Sequence, residues 1–100
     1  TKPGQVAIGS VGGAVEALVR AIAREVAPKR INIVAPGTID TPMVAAQGEE
    51  RATFYAKATA SNIIPRAGTA DEVAQGIIFL IQNDFATGTT VDVDGGWLLS

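Results

Sequence analysis

The chain has no cysteine and no histidine among its 100 residues. That rules out a disulfide framework and any thiolate or imidazole metal site, and it removes the side chain that most often acts as a general base near neutral pH. A metalloenzyme built on those ligands and a Ser-His triad enzyme are excluded with it, and no metal-binding residues are assigned. Charge is sparse as well: 18% of residues are charged and 47% are hydrophobic, against about 25% charged in an average globular domain. Either the chain is unusually well buried or it holds apolar faces for something outside itself. Net charge is −2, and the eight Lys and Arg form no cluster beyond Lys29-Arg30, so nucleic acid is not expected as a partner. No apolar run reaches the roughly 18–20 residues that span a bilayer, and no signal-peptide pattern is present. No membrane is therefore expected, and the cytoplasm is the default compartment. The chain opens at Thr1-Lys2-Pro3-Gly4 without an initiator Met, which reads as a cut or processed product.

What is present is organised around Arg30 to Met43, RINIVAPGTIDTPM. A β-branched run, Ile31 to Ala35, stops at Pro36-Gly37 and gives way to a polar loop running to Pro42. Open parallel sheets present ligands to the loops at the carboxyl ends of their strands, so this is where a ligand would be sought.

Before that strand, Val11, Ala14, Val15, Leu18, Val19, Ile22, Ala23 and Val26 recur at helical spacing and predict a long amphipathic helix. Ser10 is a candidate N-cap, with the alternative that Gly4 to Ile8 already coil. Pro28 stops this helix, and Lys29-Arg30 suit the negative end of its dipole. Gly12-Gly13 inside it costs about 1 kcal/mol per glycine relative to alanine. Close approach of another helix across an interface and room for a ligand are two ways to account for that cost.

After the Pro-Gly loop, residues 43–62 read as one or two short helices, either a movable flap over a site or an ordinary surface helix. Thr69 followed by Glu72 has the pattern of a capping box. Val73, Ile77, Leu80 and Ile81, widened by Ala74, Ile78 and Phe79, predict a second, well-buried helix ending near Asn83-Asp84. Thr89 to Asp94 alternates as a short strand before Gly95-Gly96. Strand, helical crossover and strand make a right-handed βαβ unit with parallel strands. Two parallel strands alone make a poor sheet, which implies a larger one.

The segments AVEALVRAIAREVAPKRINIVAPGTIDTPM and IPRAGTADEVAQGIIFLIQNDFATGTTVDVDGG resemble the C-terminal portion of a short-chain dehydrogenase/reductase, and the likeness runs across nearly the whole chain. The resemblance implies an α/β fold in which residues 1–100 are the C-terminal segment of a single doubly wound Rossmann-type domain. Its N-terminal half, with the phosphate loop and the catalytic serine, is expected upstream of residue 1. It also implies NAD or NADP as cofactor and a small carbonyl or alcohol as substrate.

In such proteins the Pro-Gly loop meets the nicotinamide. Pro36 and Gly37 would face the ring, the Ile39 backbone would bond its carboxamide, the Thr41 hydroxyl would bond the carboxamide or pyrophosphate, and Met43 would pack nearby. The family's Tyr-x-x-x-Lys pair falls on Ile8 and Gly12, which have no proton and no ammonium to offer. No catalytic residue is therefore assigned. The whole protein is expected to be an oxidoreductase with its catalytic groups elsewhere, a dinucleotide binder without hydride transfer, or a structural and oligomerisation module. A homo-oligomer through the 11–26 helix and the C-terminal strand is expected, with Trp97-Leu98-Leu99 adding apolar surface.

Overall fold

The computed structural model describes residues 6–42 and 44–99, with side chains from Gly12 onward. Among these the order is helix α1 (Val6–Val26), strand β1 (Ile33–Pro36), helix α2 (Gly48–Ala58), helix α3 (Ala70–Gln82), strand β2 (Thr90–Val93) and a 3-10 turn (Trp97–Leu99). The strands pair in parallel, Ile33 with Thr90 through Pro36 with Val93. This is the expected α/β architecture of helix, strand, helices and strand.

Side chains alternate across a strand, so the two faces of this sheet carry different residues. Val34, Val91 and Val93 turn toward α3, where Gly76 leaves room: a Cβ there would lie 3.2 Å from Val93 and 3.7 Å from Val91. Ala35 and Asp92 turn the other way, toward Gly12, Gly13 and Glu16 of α1. Ala23 of α1 approaches the turn at Gly88, and a Cβ on that glycine would sit 3.4 Å away. The result is three layers, α1 over one face and α3 against the other.

Both strands are shorter than their apolar runs. Ile31 and Asn32 precede β1 because their polar groups are engaged by the loop before β2. Gly88 N–H donates to Ile31 O at 2.7 Å, Thr89 N–H to Asn32 Oδ1 at 3.1 Å, and Asn32 Nδ2 to Ala86 O at 3.0 Å. At the other end Pro36 joins β1, which the expected span of 31–35 left out. Ile33 N–H and Gly37 N–H both donate toward β2, to Thr89 O and Val93 O. Backbone polarity alternates along a strand, so residue 36 presents its nitrogen to the opposite edge, where proline's missing donor breaks no ladder bond.

The helices correct two further expectations. The first begins by Val6, in line with the alternative of an earlier start, so Ser10 lies inside it rather than capping it. The segment after the Pro-Gly loop holds one described helix, α2, within the one or two expected. Arg30 serves a different helix from the one beside it in sequence: its guanidinium donates to Leu80 O at 2.7 Å, Ile81 O at 2.9 Å and Ala86 O at 3.1 Å. The Leu80 and Ile81 carbonyls are among those that the end of α3 leaves without intrahelical partners, so Arg30 caps α3 from the start of the strand beneath it and also ties it to Ala86 in the following loop.

Helix α3 is also less buried than its stripe predicts. Leu80 is 6% exposed, whereas Ile81 is 64% and Phe79 51%. Two strands offer too little surface for an apolar band that wide. Among the described residues Tyr55 and Leu80 are the buried hydrophobics, so the high apolar content goes largely into uncovered faces.

The capping box at the start of α3 forms as expected. Thr69 Oγ1 accepts from Glu72 N–H at 3.1 Å while Glu72 Oε1 accepts from Thr69 N–H at 2.9 Å. Arg66 adds a forked pair to both carboxylate oxygens of Glu72, each at 2.9 Å. The Arg66 guanidinium, and after it the Thr69 N–H, hold the Glu72 carboxyl at about 2, below its ordinary 4.5. The lowered value means that this support is complete above the ordinary value and is lost as pH falls through about 2. In the full-length protein, Glu72→Gln is expected to flatten the decline of stability across that acid window. Chemical denaturation at stepped pH reads it, and an unchanged slope would remove Glu72 from the acid response.

Candidate functional site

The carboxyl ends of β1 and β2 finish side by side, and glycine makes that possible. A Cβ on Gly37 would lie 2.7 Å from Asp94 Cα and 2.9 Å from Asp94 Cβ. The space a side chain would take is already filled by the neighbouring strand's exit, which gives this glycine a structural role of its own. Asp94 then turns the chain. Its carboxylate accepts from Gly96 N–H at 2.9 Å and Leu98 N–H at 3.3 Å, while Gly95 and Gly96 adopt φ of +62° and +82°, a region that strongly favours glycine.

From Gly37 the loop runs on under two restraints. On one side Thr38 to Asp40 behaves as a fragment of strand against Gly68: Gly68 N–H donates to Thr38 O and Asp40 N–H to Gly68 O, both at 2.9 Å. On the other side lies α2, where Arg51 and Tyr55 stand one turn apart. Arg51 bonds the Asp40 carboxylate through Nε and a terminal nitrogen and also donates to Thr41 O at 2.8 Å and Val44 O at 2.9 Å. The Asp40 hydrogen bond is the leading reason that the Arg51 pKa is raised further. The buried Tyr55 hydroxyl makes longer contacts, accepting from Thr41 N–H at 3.3 Å and donating to Ile39 O at 3.4 Å.

Among the loop's polar groups without a partner, two belong to residues expected at the cofactor. Thr38 O and Asp40 N–H face Gly68, so Ile39 turns its own N–H and carbonyl to the opposite edge. The carbonyl meets Tyr55. Among the described residues nothing accepts from the Ile39 N–H, and nothing bonds the Thr41 hydroxyl.

The five residues expected at a cofactor do not line one cavity. Pro36 and Gly37 border a cavity of about 370 Å³ beneath α1, together with Gly12, Gly13 and Glu16. Ile39 belongs to another, of about 310 Å³, on the α3 side with Gly68 and Glu72. Thr41 lines neither and is half-buried beside Tyr55. Met43 lies outside the described residues.

The cavity beneath α1 is acidic. Glu16, Asp92 and Asp94 line it, and among the described residues no Lys or Arg does. Burial, then Asp94 and Glu16, push the Asp92 carboxyl up from its ordinary range. Gly12 and Gly13 open onto this space, and no described atom lies within 4 Å of a Cβ built on either. Close helix approach within this chain therefore does not explain them. Ile8 falls within α1, with its side chain outside the described set.

The order of these elements, the parallel pair and the loop at its carboxyl edge carry over to known proteins. A family model described as enoyl-(acyl carrier protein) reductase matches residues 2–98. The chain belongs to the short-chain dehydrogenase/reductase family. A short-chain dehydrogenase/reductase from Stachybotrys chlorohalonatus is 36% identical over 96 residues, covering 96% of this chain and 38% of that relative. The 3-oxoacyl-[acyl-carrier-protein] reductase of Thermotoga maritima is 36% identical over 103 residues, covering 97% of this chain and 40% of that relative. A crystal structure of a small-chain dehydrogenase in complex with NADPH superposes with a TM-score of 0.78 at 34% identity, over 91% of this chain and 42% of that one. This short-chain dehydrogenase/reductase chain thus spans about two fifths of the length of the relatives it matches.

The residues that hold the loop, Arg51, Tyr55, Asp40 and Gly68, were not singled out from sequence. Arg51 and Tyr55 do stand at i,i+4, where helical side chains meet. The clash at Gly37 yields a prediction separate from any ligand. In the full-length protein Gly37→Ala is expected to destabilise by about 1–3 kcal/mol, as overpacking against rigid backbone does. Urea denaturation measures it, and an unchanged midpoint would show that Asp94 can move aside.

Proposed function

We propose that this chain is the C-terminal part of a Rossmann-type domain and forms the nicotinamide side of the cofactor site in a cytoplasmic NAD- or NADP-dependent oxidoreductase acting on a small carbonyl or alcohol. The observation that carries this reading is the pair of unused groups, the Ile39 N–H and the Thr41 hydroxyl, on a loop fixed at the carboxyl ends of parallel strands. Ligands of open parallel sheets sit at that edge. The reductases among the relatives and the NADPH complex of a 34% identical neighbour support it.

In this reading the Ile39 N–H donates to the carboxamide oxygen, and the Thr41 hydroxyl bonds the carboxamide or the adjoining phosphate. Pro36 and Gly37 border the ring without competing donors, and Met43 completes the apolar side. When bound, the dinucleotide would give a hydride to a carbonyl or take one from an alcohol. Among the described residues no cation lines the cavity beneath α1, so compensating charge for a pyrophosphate would come from other groups. Ile8 and Gly12 offer no proton, so the acid that serves the carbonyl stands at another position.

With the full-length protein, nicotinamide absorbance should change in the presence of a carbonyl or alcohol from a broad panel. Tight dinucleotide binding with no turnover would replace the oxidoreductase reading with one of binding alone. Removing the hydroxyl in Thr41→Val is expected to weaken dinucleotide binding about 3- to 10-fold, the effect of losing one hydrogen bond. Equal affinities in a fluorescence titration would take Thr41 out of the site.

The same reading includes a homo-oligomer. Val15 and Leu18 on the outer side of α1 are 45% and 57% exposed, and Leu99 near the C-terminal strand is 79% exposed, so an apolar surface is available on both expected interfaces. Leu18→Glu is expected to shift the full-length protein to a smaller species in sedimentation. An unshifted assembly would place the interface elsewhere.

A further inference from the structure

The loop between β1 and α2 is held from α2 by Arg51, three of whose five acceptors are loop carbonyls. Arg51 reaches five acceptors: Asp40 Oδ1, the carbonyls of Thr41, Val44 and Ala46, and the Tyr55 hydroxyl. Its guanidinium also lies over the Tyr55 ring, 5.2 Å from the centroid. The Arg51 side chain is 23% exposed. A half-buried guanidinium spent on loop carbonyls has a geometric consequence, because its planar fork fixes the directions of the groups it binds.

We infer that Arg51 is a positioning residue for the cofactor loop, setting the orientation of the Thr41 hydroxyl for the nicotinamide carboxamide. The inference rests on the dinucleotide reading above. Thr41 has its carbonyl held by Arg51 at 2.8 Å and its N–H held by Tyr55 at 3.3 Å. With both backbone groups taken, the peptide planes on either side of Thr41 are set and its hydroxyl is the polar group still available to a ligand. Asp40, one residue earlier, has its N–H on Gly68 and its carboxylate on Arg51. The plane joining the Ile39 carbonyl to the Asp40 N–H is held by Tyr55 on one side and Gly68 on the other. The Ile39 N–H lies in the preceding plane, whose Thr38 carbonyl Gly68 holds. Gly68 holds the loop at one edge and Arg51 at the other, so removing Arg51 leaves that edge to the longer Tyr55 contacts.

Tyr55 acts in the same direction and more weakly, since its contacts to the loop are 3.3–3.4 Å long. Asp40 aligns the guanidinium while remaining half exposed itself, 54% at its side chain. Salt therefore screens the ion pair and leaves the carbonyl bonds largely in place.

The test uses the full-length protein and two probes, NAD(P)H and the matching ADP-ribose, which lacks the nicotinamide. Arg51→Met is expected to weaken NAD(P)H binding about tenfold, the size of one lost charge-assisted bond, and to leave ADP-ribose within about twofold. Tyr55→Phe should show the same selective loss at smaller size. Equal weakening of both probes would overturn the inference, because it would mark Arg51 as a general structural support. Unchanged NAD(P)H affinity in a folded Arg51→Met protein would overturn it as well. Should Arg51→Met not fold, Asp40→Ala takes its place with the same selective loss expected, and equal or absent effects count against the inference in the same way. If the unaltered protein binds ADP-ribose and NAD(P)H equally, or binds neither, the nicotinamide reading fails first and the inference falls with it.

Discussion

The contact on which this structure depends most is between an absent side chain and a strand end. Gly37 places bare backbone against Asp94, where a Cβ would lie 2.7 Å from the aspartate's Cα. Two parallel strands can then stop together, and the loops leaving them diverge from a common edge. Asp94 uses that position to cap the Gly95-Gly96 turn, and the turn in turn accepts Ile64 N–H on Gly95 O at 2.8 Å. The strand exits, the segment before α3 and the start of the candidate cofactor loop are thereby one connected unit.

Polar side chains, more than apolar packing, tie the helices to this unit. Arg30 joins the start of β1 to the end of α3. Glu72 joins the start of α3 to Arg66 and Thr69, and Arg51 joins α2 to the loop. Each uses a charged group to satisfy backbone atoms that helix ends or loops leave without partners. The division of labour suits a chain in which much apolar surface is still uncovered. Ile81 and Leu99 stay 64% and 79% exposed, whereas the polar ties close within the chain.

The contrast between the two cavities beside the loop bears on chemistry. The one beneath α1 is wide, acidic and opened by Gly12 and Gly13. The other, toward α3, holds the Ile39 side chain near Gly68. Ile39 therefore anchors with its side chain on one side and offers its N–H on the other. A cofactor-binding residue in such a loop needs both properties: an anchor that the protein holds and a backbone donor that it leaves free.

Periodicity and punctuation in the chain determined the element types, their order, the parallel βαβ unit, the α3 capping box and the loop at Pro36-Gly37. These are local signals, carried by residue spacing and by the backbone chemistry of proline and glycine. The family was legible for the same reason, through several such motifs in a set order. Tertiary structure alone decided where the strands begin and end, because the bonds that bound β1 come from Ala86, Gly88 and Thr89, more than fifty positions away. It alone showed that Arg30 caps α3 instead of the helix beside it, that Gly37 makes room for Asp94, and that Arg51 holds the loop. A guanidinium will serve whichever unpaired carbonyl folding brings within reach, and sequence distance does not record that. The exposure of α3 was hidden likewise: an apolar stripe specifies a face to be covered, and only the extent of the sheet beneath it determines how much is.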